Sequence, residues 1–426
     1  MENANRETPV RVVFLRDLEN LGGAGIAASR LARGLVHQGV EVVSLFNNGD
    51  SMGTPSGEPV TWTSRYVGLP RSLEIAINGA RRISPELARR AGQLYSAQAL
   101  HTFLRSAKFD VLHVHAIHNS YWNHTTLAAL DPSLPVVWTF HDYWSFSPES
   151  YLLRRDDGTE LRVKPDGPDR ERALERRRSY FQSRRRCRLV ANSFDTAQRA
   201  REQLGLAVDV IHYGIPLDVF TPIEKRMARA ALRLPENAFV VGYIADTRAD
   251  PVKGFDVLRS ALSTLDHHGA WALAIGRGES GDTNIGGVRV RMLGHVVNPV
   301  LLAIAYSAAD VFVVPSRTEA LGMVGMESVA CGTPVIGSNV GGIPDVVQEG
   351  STGWLFPAGE TRALSARLAQ LASDPASAAA LRHECRATAL RSWDLVAQAE
   401  RYRALYRELL RRDARSPVLT AAHTSP

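Results

Sequence analysis

Residues 315–342 read P-S-R-T-E-A-L-G-M-V-G-M-E-S-V-A-C-G-T-P-V-I-G-S-N-V-G-G and follow the apolar run Val311 to Val314. That run reads as a strand buried on both faces. Pro315, Ser316 and Thr318 break it, Gly322 to Cys331 has apolar residues at helical spacing, and Gly332 and Pro334 end the helix. The stretch is thus a strand, a loop and a helix start, a building unit of parallel α/β sheets. Glu319 and Glu327 stand at its mouth. Open parallel sheets bind ligands beyond the carboxyl ends of their strands, and a helix start presents unpaired N–H groups, here at Leu321, Gly322 and Met323, that favour an anion. The two carboxylates are separated by about 12 Å along a helix, which lets each accept from a different diol of one ligand that also carries phosphates, such as a sugar nucleotide. The plainer alternative makes Glu327 a surface acid and Glu319 a dipole-favoured acid at the helix entry.

Outward from this stretch, strand-like and helix-like segments alternate along the chain, the pattern of βαβ units. Strands are expected at Val10 to Leu15, Val40 to Phe46, Val111 to His115 and Val136 to Phe140, with a helix at Gly25 to Gln38. After Tyr213-Gly214-Ile215-Pro216, a Gly/Pro-punctuated stretch to Pro222 reads as a linker, and a second set follows with strands at Val240 to Ile244, Ala272 to Ile275, Val311 to Val314 and Pro334 to Ile336. A chain of 426 residues, 45% hydrophobic, exceeds what one ordinary core holds. The expectation is two doubly wound parallel-sheet domains facing a cleft. We expect the first over 1–215, the second over 216–392, and a tail without structure over 411–426.

Composition narrows the chemistry further. Cys187, Cys331 and Cys385 are far apart and show no CxxC spacing, which speaks against a disulfide framework and a zinc knuckle. No apolar run approaches the roughly 20 residues of a membrane span, and Met1 to Pro9 is polar, so a cytoplasmic protein is expected. His113 and His115, in D-V-L-H-V-H, fall on one face of a strand, with His118 and His124 close behind. Such an H-x-H pair suits a metal-dependent hydrolase, but later strand ends offer only isolated histidines such as His212 and His295. The alternative makes His113 and His115 strand-end residues lining the cleft. His141 follows the apolar strand V-V-W-T-F and opens H-D-Y-W, at a strand's carboxyl end. Gly22-Gly23-Ala24-Gly25 fits the dinucleotide pattern G-x-G-x-x-A from Gly23 to Ala28, yet it does not follow the first strand directly, and the second strand runs into Asn47 and Asn48 rather than an acid.

The sequence resembles the retaining glycosyltransferases of family 4, which have the GT-B fold. The likeness rests on the Glu-x7-Glu block, the preceding A-Y-S-A-A-D-V-F-V-V-P-S, the following G-T-P-V-I-G-S-N-V-G-G-I-P-D-V-V, G-S-T-G-W-L-F-P-A-G-E over 350–360 and Lys253-Gly254-Phe255-Asp256-Val257-Leu258, and it runs from Val10 to Leu410. It implies that Glu327 binds the ribose diol, Glu319 the sugar hydroxyls and Lys253 the leaving diphosphate. Gly23 would then belong to a glycine loop that lets backbone amides approach the diphosphate, and His141 would stand near the reacting carbon, where a neutral imidazole can hydrogen-bond the donor sugar. It also implies that the helix 393–410 crosses back to complete the first domain. The chain departs from the family at Thr247, where an arginine is common; Arg248 next to it, or Arg277, would take the second phosphate contact. There is no Asp-x-Asp, the carboxylate pair that holds a divalent metal in the other main glycosyltransferase architecture. No metal and no cofactor are therefore expected, and the cations and the helix start would neutralise the diphosphate. The expected reaction is retaining, metal-independent transfer from a nucleotide-diphosphate sugar to a hydroxyl acceptor. An isomerase on the same fold and a non-catalytic sugar-nucleotide binder are the other readings.

Acceptor contacts are expected from loops at Asn47 to Arg82, Asn119 to His124 and Tyr143 to Asp169. H-D-Y-W after T-F resembles bacterial polysaccharide-assembly members of the family, which points to a cell-surface glycan or its lipid-linked precursor, with small-molecule natural products as the alternative. The net charge is +6, and its densest basic stretch is Arg170 to Arg188. As a helix with Leu174, Tyr180 and Phe181 among its arginines, this stretch could rest on an anionic membrane, or be a solvated helix neutralised in part by Glu171 and Glu175. No nucleic-acid motif accompanies the charge.

Overall fold

The computed structural model describes residues 9–16, 22–46, 63–66, 84–117, 122, 124–147, 170–267 and 269–411. The expected loops at Asn47 to Arg82 and Tyr143 to Asp169 fall largely outside these residues, as do His118, Asn119 to Tyr121 and the tail beyond Arg411. Among the described residues fourteen strands form two seven-stranded sheets. The first contains β1 (Arg11–Arg16), β2 (Glu41–Phe46), β3 (Thr63–Tyr66), β4 (Val111–Val114), β5 (Val136–Phe140), β6 (Cys187–Ala191) and β7 (Asp209–Val210). Their order is β3-β2-β1-β4-β5-β6-β7, parallel throughout. The second contains β8 (Val240–Thr247), β9 (Trp271–Arg277), β10 (Gly281–Ile285), β11 (Val288–Leu293), β12 (Val311–Val314), β13 (Val335–Ser338) and β14 (Gly353–Phe356). Its order is β10-β11-β9-β8-β12-β13-β14, and only the edge strand β10 is antiparallel. The chain reverses direction across each sheet between β1 and β4 and between β8 and β12, and ligand crevices form outside the carboxyl ends at such points.

Strands β5 and β12 are buried along their whole length, because helices cover both faces of a parallel sheet. The helix Leu395–Arg411 is amphipathic, and its Ala399, Tyr402, Leu405, Tyr406 and Leu409 pack with Val12, Phe14, Leu31, Val137 and Val190 of the first sheet's layer. It begins after Trp393, which is buried in a core shared with the second sheet. The two passages of the chain between the sheets run side by side: Ile215 N–H donates to Trp393 O at 2.7 Å and Leu395 N–H to Ile215 O at 3.3 Å.

Two expectations change. The glycines at 22–25 are the first turn of the helix Gly22–His37 rather than a loop, and Gly22 and Gly23 are exposed there. The basic stretch is helical only over Arg170–Ser183, since Cys187 starts β6. Its arginines do not form one solvent-facing cationic side. Buried Arg177 donates to Ser147 O at 2.7 Å and to Trp144 O, and Arg184 to Asp131 O at 2.7 Å. Arg186 donates to Leu409 O at 2.7 Å, and Arg188 pairs with Asp209 at 2.7 Å and Glu408 at 3.1 Å. Most of these guanidiniums hold neighbouring elements in place, because buried carbonyls need donors. No helix among the described residues is long and apolar enough to cross a membrane.

Candidate active site

At the carboxyl end of β8 the chain turns through Asp250, whose side chain accepts from Val252 N–H at 2.9 Å, into the single 3₁₀ turn Pro251–Lys253. Gly254 has φ +67°, and a Cβ there would strike the carbonyl of Pro315. Only glycine combines this backbone with so close an approach, and the approach carries Lys253 to the loop after β12. Lys253 Nζ donates to Glu319 Oε2 at 2.7 Å, and Ser316 Oγ donates to the same oxygen at 3.3 Å. The Glu319 loop is held from behind by Gly341 and Gly342. Gly342 N–H donates to Glu319 O at 3.0 Å, and Gly341, at φ +52°, leaves no space for a Cβ against that carbonyl. Burial works against the Lys253 charge, but Glu319, with Asp250 and Asp246 behind it, more than offsets this and raises the ammonium's pKa. The sequence-predicted cation and carboxylate therefore meet, at the second sheet's reversal point.

Glu327 and Arg248 are placed differently from expectation. Glu327 is buried in the helix Met323–Ala330, and both its oxygens are engaged: Oε1 accepts from Arg30 Nη2 at 2.6 Å and Oε2 from the Tyr306 hydroxyl at 2.8 Å. Arg30 also donates to Met323 Sδ at 3.4 Å and lies 5.0 Å from the centroid of the Phe220 ring. Glu327 is thus not an open carboxylate facing a diol, and any ligand that used it would have to share or displace its partners. Arg248 is buried, with Nη1 donating to Gly276 O at 2.6 Å and Leu293 O at 2.9 Å and Nη2 to Glu279 O. Its guanidinium ties β8, β9 and β11 together, so it is not turned toward a phosphate. Burial lowers its pKa. Arg277, the other candidate, is exposed and lies 3.3 Å from Asp246. Leu321 is buried, Gly322 caps the helix at φ +88°, and the Met323 and Val324 amides precede the first bond within the helix, from Gly325 N–H to Gly322 O at 2.9 Å.

On the opposite side, His141 follows β5 and is buried, with both ring nitrogens in hydrogen bonds. Nδ1 is 2.7 Å from the Tyr213 hydroxyl and Nε2 2.9 Å from His115 Nδ1. The ring therefore keeps no nitrogen open for a sugar in this arrangement, contrary to the expected imidazole-to-sugar bond. Nor do His113 and His115 line the cleft. His113 is fully buried between Tyr406 OH, 2.7 Å from Nδ1, and Thr139 Oγ1, 2.8 Å from Nε2. Burial first, then the neighbouring His141, lowers its pKa; burial followed by His113, His141 and Arg16 does the same to His115. Among the described residues no group of three or more His, Cys, Asp or Glu could hold a metal ion.

The two sheets meet around this cleft. Asp345 Oδ2 accepts from Phe194 N–H at 2.8 Å and lies 2.9 Å from His212 Nε2, and the Arg30–Glu327 pair bridges at another point. Arg30, Tyr306, Asn192 and Tyr213 were not singled out by sequence reasoning as site residues. Tyr213 sits in H-Y-G-I-P, which reads as linker punctuation, and Arg30 is one of several charges on an ordinary helix face.

The profile for glycosyl transferases group 1 matches residues 224–390, and that for glycosyltransferase family 4 matches residues 21–219. Together they span both sheets. The D-inositol 3-phosphate glycosyltransferase of Mycobacterium avium (strain 104) is 34% identical over 245 residues, covering 53% of this chain and 55% of its own. The chain thus spans about half the length of that relative. Sucrose-phosphate synthase from Thermosynechococcus elongatus superposes with a TM-score of 0.74 at 21% identity, covering 94% of this chain and 99% of that one. Anabaena HepE in complex with UDP and glucose gives 0.67 at 18% identity, covering 94% and 100%. The architecture is GT-B, and the chain belongs to the group 1, family 4 glycosyltransferases.

Proposed function

We propose that this protein transfers a sugar from a nucleotide-diphosphate sugar to a hydroxyl acceptor, with retention and without a metal ion. The observation that carries this reading is the Lys253–Glu319 pair at 2.7 Å. In the ligand-free state the cation and the carboxylate satisfy each other. A sugar nucleotide replaces that contact with two better ones, Lys253 on the leaving diphosphate and Glu319 on the sugar hydroxyls. The helix start at Gly322 and Met323 adds its dipole to Lys253, Glu327 serves the ribose once Arg30 yields, and Arg277 replaces Arg248 as the candidate for the second phosphate contact. The half built on the first sheet, with the helix Leu395–Arg411, takes the acceptor, and the half over 216–392 takes the donor. We place the reaction in the cytoplasm, in assembly of a cell-surface glycan or lipid-linked precursor.

UDP-glucose, named with HepE in another solved complex, is the first donor to try in a thermal-shift screen of nucleotide sugars. Binders are then assayed with acceptors that include D-inositol 3-phosphate, the compound in the mycobacterial relative's name. Transfer that continues in excess chelator is expected, and abolition by chelator with rescue by magnesium or manganese would refute the metal-free route. Consumption of the donor without any acceptor would point to an isomerase instead.

A further inference from the structure

The ring of His141 sits inside a directed chain of hydrogen bonds that can be traced donor by donor. Asn192 Nδ2 lies 3.2 Å from the His141 carbonyl oxygen and 2.9 Å from the Tyr213 hydroxyl. The amide cannot be turned over, because its oxygen would then face the carbonyl oxygen, so the NH2 group donates to both. The Tyr213 hydroxyl therefore accepts from Asn192, and His141 Nδ1 at 2.7 Å is the acceptor for its own proton. Were His141 protonated on Nδ1 instead, the buried Tyr213 proton would have no acceptor while His115 Nε2 would still lack a partner, so two buried polar groups would go unpaired where the Nε2–H arrangement leaves one. Burial holds the Tyr213 proton in place by raising the phenol's pKa. His141 then carries its proton on Nε2 and donates to His115 Nδ1 at 2.9 Å. His115 in turn bears its proton on Nε2, where the chain stops at a buried nitrogen with no partner.

We propose that His115 is the positioning residue of His141: it accepts from Nε2–H and, with Tyr213 and Asn192 on the other side, fixes the ring in one tautomer and one orientation at the edge of the cleft. This goes beyond the family assignment and rests on the proposed function only for its kinetic consequence. A ring so held is a fixed neutral dipole beside the donor, not a proton carrier. Taking a second proton would require Tyr213 to reverse its hydroxyl and would place a charge against a second imidazole. Repulsion between His141 and the buried His113 and His115 opposes a positive charge on any of the three rings, and Arg16 from β1 adds to it at His115. Asp142 beside the ring, Tyr402 from the last helix and Glu319 from across the cleft act on Tyr213 by raising its pKa further.

The test uses the full chain labelled with 15N-histidine, the His141 signals being assigned by their loss in His141→Asn. We expect the Nε2–H tautomer and no titration of His141 between pH 8 and pH 5.5. In Tyr213→Phe, Nδ1 loses the phenol proton that fixes the tautomer, and the Nδ1–H form should become detectable beside Nε2–H. A wild-type ring protonated on Nδ1, or one that titrates normally, overturns the proposal whatever the variants do. The second arm is turnover of the donor identified by the screen. His115→Leu removes the acceptor and should lower kcat by roughly 5- to 30-fold with KM for the donor within about twofold, while His115→Asn, whose side-chain oxygen falls near the lost Nδ1, should recover most of it. Equal losses in Leu and Asn variants that are both folded also overturn it. Absence of turnover in the wild type counts against the proposed function and leaves the tautomer result standing on its own.

Discussion

Lys253 and Arg248 are five residues apart and both cationic, yet they do opposite work. Lys253 is half-buried and its partner is a single carboxylate that a ligand can replace. Arg248 is buried, and its partners are three backbone carbonyls, Gly276 O, Leu293 O and Glu279 O. Removing Lys253 should therefore cost rate, and removing Arg248 should cost fold. Lys253→Ala is expected to lower turnover by orders of magnitude with little change in urea-unfolding midpoint. Arg248→Ala should lose roughly 2 to 3 kcal/mol of stability, since charged hydrogen bonds to buried carbonyls are lost together, while the folded variant keeps its donor affinity within about threefold. The reverse pattern would make Arg248 the phosphate ligand after all. On the proposed function, Glu319→Ala removes a charged hydrogen bond to the sugar, worth about 1.5 to 3 kcal/mol or roughly 10- to 150-fold. That loss should show in turnover of the sugar nucleotide and not in binding of the bare nucleotide. The difference between the two cations was not legible in the sequence. Spacing placed both in the same turn, and only the carbonyls donated by distant strands decide which one faces the cleft.

The strands next to these residues show which parts of the fold local sequence specifies. Val136 to Phe140 and Val311 to Val314 were readable to the residue, because four or five consecutive apolar residues bounded by breakers leave one choice. Cys187–Ala191 was hidden inside a run of arginines, whose charge suggested a continuing helix. In the fold those arginines are anchored by Asp209, Glu408 and the carbonyls at the end of the last helix, contacts between residues far apart in sequence. The histidines of the β4 strand were misplaced for a related reason. Their period put them on one face, but the helix Leu395–Arg411 comes from the far end of the chain and buries His113 under Tyr402 and Tyr406, while His115 lies against His113, Phe14 and His141. This burial has a pH consequence. His113, His115 and His124 all have folded pKa values pushed well below the ordinary value by burial, reinforced by neighbouring histidines or arginines. The unfolded chain then binds more protons once the pH falls below about 6.5, so stability is full above that value and declines as the pH drops toward the folded values. Three such groups give a slope of up to about 4 kcal/mol per pH unit. Urea unfolding at pH 7.5, 6.5 and 5.5 measures it, and a midpoint unchanged across this range would contradict the burial of the three rings as neutral groups.

At the scale of the whole molecule, each sheet has its own core, and the described contacts between the two halves include a shared apolar cluster and several hydrogen bonds and ion pairs. The chain crosses between them twice, at Ile215 and at Asp394, and the crossings pair with each other. Beyond the crossings, the Arg30–Glu327 bridge is the most buried ionic contact between the two halves among the described residues. It links the first helix of one half to the Glu-x7-Glu block of the other. A buried pair of this kind is costly to break from one side only, because the remaining charge is left without its partner. Arg30→Met should therefore destabilise the protein by roughly 3 kcal/mol, and Glu327→Gln should also cost stability because Tyr306 loses its charged acceptor. If the pair acts as one bridge, the double variant Arg30→Met, Glu327→Gln should lose less than the sum, with a coupling of about 1 to 3 kcal/mol. On the proposed function the same bridge stands where the ribose would be received, so Arg30→Met should also alter the affinity for the bare nucleotide, upward if Arg30 is a competitor that must yield and downward if it stays to orient the carboxylate. Urea unfolding of the four proteins, with nucleotide titration by calorimetry on the folded ones, gives both quantities. Strict additivity of the two substitutions would show that Arg30 and Glu327 act independently rather than as one bridge between the halves.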